Sequence, residues 1–361
     1  MARVVDLSDL RTRVQQQIDL ELQRQQTVLA ELGADAQPLV EAIDSLLRGG
    51  KRLRAAFCYC GYLAAGGQHE PAALRAATAM EFFQAAALLH DDVMDDSAIR
   101  RGQPSAHRAL AQWHSEQGWS GDSARFGAAG AILAGDLCLV WCDEVLASCG
   151  LPEAELTRGR PIFDAMRTQL MGGQFLDVLV SARGWEAAGL PERIEQTRRV
   201  IRYKSAKYSI EQPLLFGASA AGASTADLAA LSRYGLDLGE AFQLRDDLLG
   251  VFGDPEQTGK PAGDDLREGK RTLLLALALD QATPAQTQLL DDCLGRPDLD
   301  PAQVERLREM IEATGAVTRL EDRIATLAAC ARDALATTSG LGESGRATLD
   351  ELIEVATARA S

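Results

Sequence analysis

Apolar positions recur at helical spacing almost from the start of the chain. Between Asp6 and Glu31, the residues Leu7, Leu10, Val14, Ile18 and Leu22 fall three or four apart, with charges and glutamines between them. The same periodicity predicts helices over Pro38–Leu47, Leu53–Ala65, Pro71–Asp96, Ala128–Cys149 and Pro152–Val180. It continues over Pro191–Ala218, Thr225–Phe252, Leu273–Asp280, Pro284–Leu294, Pro301–Thr314, Ala316–Thr338 and Ser344–Ala358. Pro71, Pro191, Pro284 and Pro301 stand in first turns, where their missing N–H costs nothing. No stretch alternates apolar and polar residues between hairpin turns, so no sheet is expected. The glycine-bearing stretches His114–Gly127 and Gly253–Gly269 read as exposed loops. There is no repeat of fixed period and no long Pro/Gly/Ser linker. The pattern therefore predicts one large all-α domain over residues 1–361, its N-terminal helix within residues 1–35 a candidate dimer contact.

Charge and composition narrow the function classes. Asp and Glu number 52 against 37 Lys and Arg, a formal charge of −15. A nucleic-acid partner is not expected from that balance, although a locally basic cavity is compatible with it. The longest apolar runs, such as Leu273–Leu279, fall short of the ~20 residues a membrane span needs. The opening MARVVDLSDL has no basic region followed by an apolar core, so a cytoplasmic protein is expected. Seven cysteines are too scattered for a disulfide framework and lack zinc spacing, and they read as small buried thiols.

The chemistry concentrates in a few segments. His90-Asp91-Asp92-Val93-Met94-Asp95-Asp96 ends a strongly apolar helix, and residues four apart share a face, so Asp91 and Asp95 project together. Parallel carboxylates at a helix C-terminus oppose both one another and the helix dipole, unless a hard cation such as Mg²⁺ sits between them. A solvated acidic helix end is the plain alternative. Arg100 and Arg101 follow at once, and guanidinium forks match phosphate oxygens. Upstream, Gly49-Gly50-Lys51-Arg52-Leu53-Arg54 opens a helix with basic residues, an anion site in its own right. A second acidic pair, Asp246-Asp247, follows Gln243 and Arg245, with Lys260 and Lys270 in the loop beyond. The doublet Asp291-Asp292 also has a preceding glutamine, Gln288, but lacks the neighbouring arginine and lysines and reads as surface. Midway along, Lys204-Ser205 offers an ammonium and a hydroxyl on one helix. With four histidines, no nucleophile-elbow pattern and no GxxxxGK[ST] loop, neither a Ser–His–Asp hydrolase nor a P-loop NTPase is expected.

Taken together, GGKRLR at Gly49–Arg54, LLHDDVMDDSAIRRG at Leu88–Gly102, Lys204-Ser205 and FQLRDDLLGVFGDPEQTGKPAGDDLREGKRT at Phe242–Thr272 resemble the trans-isoprenyl diphosphate synthases. The likeness is greatest to those making geranylgeranyl diphosphate. It implies an all-α bundle around a central active-site cavity, a homodimer, and Mg²⁺-dependent condensation of isopentenyl diphosphate with an allylic diphosphate. Asp91, Asp95 and Asp246 would hold three Mg²⁺ ions, with Asp92 and Asp247 supporting them. Arg100, Lys204, Gln243 and Lys260, with Ser205 and Lys270 beside them, would bind the allylic diphosphate. Lys51, Arg54, Gln84 and Arg101 would hold isopentenyl diphosphate.

The chain departs from the family pattern at three places. Ser205 replaces threonine, Ala55 replaces the proline after GGKRxR, and Gly250 replaces the last acid of the second DDxxD motif. Asp254, four residues on, is a candidate substitute for that acid. Chain length is set, by the same resemblance, one turn before the first motif. Short-chain synthases carry an aromatic floor there, whereas this chain has Ala86 and Ala87, which favours geranylgeranyl over farnesyl diphosphate. Phe83 and Phe82, a turn deeper, either close the tunnel or pack in the core. A loop closing over the site at Gly253–Gly269 is also expected. A class I terpene cyclase would show an NDxxSxxxE-like second motif and no isopentenyl site, and a non-catalytic subunit would lack the acidic ligands.

Overall fold

The computed structural model describes residues 5–183, 185, 188–254 and 263–358. Helix α1 (Leu7–Leu29) buries the predicted stripe Leu10, Val14, Ile18 and Leu22, and the Asp6 carboxylate caps its first amides at Ser8 and Asp9. Helices α2 (Gln37–Leu47), α3 (Leu53–Ala64) and α4 (Glu70–Met94) follow. Alanines on α4, including the fully buried Ala77, Ala79 and Ala86, let neighbouring helices approach closely. Helices α5 (Ala106–Glu116), α6 (Ser123–Ala147), α7 (Glu153–Arg183) and α8 (Leu190–Val200) come next. After a π-helical segment, Ile201–Glu211, come α9 (Gln212–Ala221), α10 (Thr225–Phe252) and the single turn α11 (Asp264–Arg267). The chain continues through α12 (Leu273–Gln281), α13 (Pro284–Cys293), α14 (Pro301–Ala313), α15 (Ala316–Ala336) and α16 (Glu343–Thr357).

The fold is all-α, and its helices pack in pairs: α4 on α6, α3 on α9, α7 on α9 and the π segment, and α10 on the π segment and α15. Two apolar clusters result. The larger gathers α1 to α4, α6, α7 and α9, and the smaller gathers α12 to α15. Helix α10 runs through both, giving Leu231, Tyr234 and Leu238 to the first and Leu244, Leu248 and Val251 to the second.

Four expectations are corrected. The single helix predicted over Pro191–Ala218 is interrupted by the π segment. Pro213 lacks an N–H and its ring crowds the carbonyl four residues back, which accounts for the widened turns that precede it. The stretch His114–Gly127 is mostly helix, since α5 runs through Glu116 and the Asp122 side chain caps α6 at Ala124 and Arg125. One minimal hairpin pairs Ile99–Arg100 with Gln103–Pro104 across a turn in which Arg101 and Gly102 are left-handed. Finally, the Gly253–Gly269 loop contains α11, while Lys260 lies outside the described residues.

Candidate active site

A cavity of about 500 Å³ opens between α3, α4, α7, the π segment and α10. Asp91 lines it from α4, Lys204 and Ser205 from the π segment, and Gln243, Asp246 and Asp247 from α10. Lys51, Arg54, Gln84, Arg100, Arg101 and Lys270 complete the polar wall. Residues separated by more than two hundred positions thus face one space.

The π segment is placed by close backbone approach. A Cβ on Gly173 of α7 would lie 2.5 Å from the Lys204 amide nitrogen, and one on Gly239 of α10 would lie 2.6 Å from the Ala206 Cα. With no side chains at these two crossings, both helices pack closely on the segment and set its position across the cavity from α4. Lys204 then reaches Asp91 at 3.1 Å and Asp177 at 2.6 Å, and Gln174 donates to Asp91 Oδ1 at 2.7 Å. Neither Gln174 nor Asp177 was expected from the sequence. Gly172-Gly173-Gln174-Phe175-Leu176-Asp177 carries its polar pair three apart, a spacing that also describes any solvated helix face. The signal available was the glycine pair beside them.

Charge is unevenly distributed over the first acidic motif. Burial alone would raise the Asp91 carboxyl, but Lys204, Lys270 and Arg100 outweigh it and hold the group down at about 2. Asp95 moves the other way, to about 6, because of burial and the neighbouring Asp91 charge. Lys270 stands 3.7 Å from it, yet Asp95 Oδ2 is buried without a hydrogen-bond partner. Asp92 points elsewhere: it is 2% exposed and accepts from Arg100 Nε at 2.9 Å. Asp92 therefore anchors the arginine, while Asp91 faces the cavity.

In the second motif, Asp247 is buried and its carboxyl is pushed well above the usual range, chiefly by desolvation, despite a hydrogen bond from Gln243 at 2.8 Å. Asp246 takes the exposed side. The missing fifth acid has a structural counterpart. A Cβ on Gly250 would lie 2.0 Å from Asp265 Oδ2, so the α11 carboxylate fills the space above the glycine and stands 3.6 Å from Lys270. Asp254 is exposed beyond the end of α10 and is not the acid at that position. Arg245, taken from the sequence as part of the motif's signal, turns away. Its guanidinium bonds both Glu321 oxygens at 2.7 Å and the Thr357 carbonyl at the end of α16. Asp291-Asp292 lies on exposed α13, where Gln288 binds Asp292 at 2.8 Å.

The cavity lining also carries Arg54 and Arg101. Arg54 donates to Ser209 Oγ at 2.6 Å and stacks 4.1 Å over the Tyr208 ring, but its Nε is buried without a partner. Arg101 donates to the Leu46 carbonyl at 2.6 Å and packs against Gly50. Tyr208 donates to the Gln84 side chain. At the N-terminus of α3 one first-turn amide is already occupied. The Glu81 carboxylate already accepts from the Ala55 amide at 3.1 Å and pairs with Arg52 at 3.2 Å. The side-chain cations remain to hold an anion there.

Of the two alanines before Asp91, Ala87 lines the cavity with Leu170, whereas Ala86 is fully buried away from it. Phe83 is buried edge-on to Tyr208, with centroids 5.9 Å apart, and Phe82 packs against Trp141 at 6.2 Å.

Hard oxygen donors and an orphaned buried carboxylate oxygen suit a divalent cation such as Mg²⁺. Among the described residues no three acidic, thiol or imidazole ligands converge into one cage. That arrangement fits an ion completed by phosphate oxygens.

A family model described as polyprenyl synthetase matches residues 36–312. The geranylgeranyl diphosphate synthase of Saccharolobus solfataricus is 32% identical over 271 residues, covering 73% of each chain. The nonaprenyl diphosphate synthase of Mycobacterium tuberculosis is 32% identical over 329 residues, covering 90% of this chain and 85% of its own. Among solved structures, geranylgeranyl pyrophosphate synthase from Corynebacterium glutamicum, complexed with isoprenyl diphosphate and magnesium, superposes with a TM-score of 0.93. It is 40% identical over 98% of this chain and 100% of its own.

Proposed function

The chain belongs to the polyprenyl synthetase family, and from that premise we propose that it condenses isopentenyl diphosphate head to tail with allylic diphosphates, giving chiefly geranylgeranyl diphosphate. The observation that carries this is one cavity lined both by the carboxylates Asp91 and Asp246 and by the cations Lys51, Arg54 and Arg101. Two diphosphates need both sets.

In the proposed site Asp91, Asp95 and Asp246 hold Mg²⁺, three ions once the allylic diphosphate is bound. The metal supplies neutralisation of the charge that builds on the leaving diphosphate as its C–O bond breaks. Arg100, Lys204, Gln243 and Lys270 bind that diphosphate, with the Ser205 hydroxyl beside Lys204. Lys260 is assigned the same role from the sequence. Asp177 and Gln174 orient Lys204 and Asp91, and fixed charges of this kind lower the barrier because they need no reorganisation. Lys51, Arg54, Gln84 and Arg101 hold isopentenyl diphosphate so that its double bond faces the allylic carbon. After the new C–C bond forms, the proton passes to the released diphosphate. None of the four histidines lines the cavity to compete for it. Incubating the protein with Mg²⁺, isopentenyl diphosphate and dimethylallyl, geranyl or farnesyl diphosphate, then sizing the products, tests this. No extension of any starter would refute it.

The growing tail is assigned to the wall formed by Ala87 and Leu170, with Tyr208, backed by the buried Phe83, as its floor. Phe83 lies eight residues before Asp91, about 12 Å along the helix. Ala87→Phe is expected to shorten the main product by at least one isoprene unit. Ala86→Phe is expected to leave chain length unchanged while destabilising the fold by about 1–3 kcal/mol through overpacking. Product sizing and thermal denaturation of both variants check this, and shortening by Ala86→Phe alone would reverse the assignment.

The protein is proposed to act as a homodimer in the cytoplasm. Six exposed apolar side chains gather on α6 and α7, at Ile132, Leu133, Val140, Met171, Phe175 and Val178, and α1 exposes Leu20 and Val28. The seven cysteines are free, six of them buried, and no described helix is long and apolar enough to cross a membrane. Helix α10, shared by both apolar clusters, supports treating the chain as one domain.

A further inference from the structure

Arg52 begins α3 in a left-handed conformation, φ 53° and ψ 35°, which a non-glycine residue adopts only when its surroundings hold it there. It makes no side-chain cap for the helix it starts. The cap comes instead from α4. Glu81 Oε1 accepts from the Ala55 amide in the first turn at 3.1 Å, and its Oε2 pairs with Arg52 Nη1 at 3.2 Å. Both side chains are nearly inaccessible, 3% exposed for Arg52 and 6% for Glu81. The remaining Arg52 donors go to the Leu47 carbonyl and to Gln15. One carboxylate thus fixes the turn between two cations, Lys51 immediately before Arg52 and Arg54 two residues after it, both on the cavity wall.

Granting the isopentenyl diphosphate site proposed above, we infer that Glu81 is a positioning residue for it. Glu81 does not bind the diphosphate, whose charge its own would repel. It holds Arg52 in the left-handed turn, occupies the α3 N-terminus, and thereby sets the directions of Lys51 and Arg54. The Ala55 amide is thereby closed to the anion, and the side-chain cations remain to hold it.

The test separates the two substrates. Glu81→Gln keeps the shape and removes the charge. It is expected to raise KM for isopentenyl diphosphate at least about tenfold, since small displacements of positioning groups carry costs of that order or more. The kcat and the KM for geranyl diphosphate are expected to stay within about twofold, and Glu81→Asp to recover part of the loss. Equal rises in both KM values, or none, would overturn the inference. Because Glu81→Gln leaves Arg52 buried and unpaired, it can fail to fold. The double variant Arg52→Gln, Glu81→Gln carries no buried charge and decides that case. A retained selective KM rise supports the inference, and a wild-type KM overturns it. Trypsin cleavage after Lys51 and Arg54, expected to accelerate in folded Glu81→Gln, reports on the turn without any substrate. A wild-type protein that extends no allylic starter would therefore defeat the functional proposal and leave this one to stand or fall on the cleavage rates.

Discussion

Asp246→Asn is expected to lower kcat by about a thousandfold, equivalent to about 4 kcal/mol of transition-state stabilisation, with the protein still folded. The doublet gives no redundancy. Asp247 is buried, and desolvation, reinforced by the charges of Asp265 and Asp246, keeps its carboxyl well above the usual range. Its carboxylate accepts from Gln243 at 2.8 Å, whereas Asp246 is the exposed member of the pair. Asp247→Asn preserves the shape and is expected to cost less than about tenfold, because burial already disfavours a charge at this position. Steady-state incorporation of labelled isopentenyl diphosphate into product, measured for both variants at saturating Mg²⁺, separates them. Equal losses would show that the two carboxylates share the load and that the division of roles drawn here is wrong.

Gly250→Asp, the change that would complete the second DDxxD motif, is expected to harm the enzyme, by about a hundredfold in kcat/KM. A Cβ at position 250 would lie 2.0 Å from Asp265 Oδ2, so the new side chain and the α11 carboxylate cannot both be accommodated. Asp265 would be driven from its place near Lys270, and a further negative charge would crowd Asp246 and Asp247. Removing the obstruction should relieve the defect, so Gly250→Asp combined with Asp265→Gly is expected to regain at least about a tenth of wild-type kcat/KM. Higher activity in the single variant than in wild type would mean that Asp265 leaves the space readily and that the glycine is a true loss.

Much of the site is local in the chain and was legible there. Carboxylates four apart on a helix, paired arginines after them and a lysine-bearing loop after a second doublet each carry chemistry that spacing alone displays. The long apolar periodicities gave α1, α4 and α10 to within two residues at each end. What escaped depends on partners distant in sequence. Gln174 and Asp177 matter because Gly173 brings α7 onto Lys204, a contact between positions about thirty apart. Arg245 seemed part of the motif until Glu321 and the end of α16 claimed it. The basic helix start at Lys51–Arg54 seemed open to anions because its cap, Glu81, belongs to another helix. The π segment was hidden because widened turns keep nearly the same apolar rhythm as an α-helix over so short a stretch. In each case the missing term was a tertiary contact, which side-chain periodicity does not encode.

The glycine crossings at Gly173 and Gly239 also say where variety in this architecture has room to arise. Any larger residue at either point would wedge the lysine-bearing strip away from the carboxylate it serves, so that half of the molecule is closed to tinkering. The half at Ala87 has no such veto, since on the proposed assignment of the tail bulk added there would subtract from the hydrocarbon's room and leave the ionic half alone. Relatives that release short and very long chains can therefore keep one ionising apparatus, with evolution free to re-cut the sleeve that receives the tail.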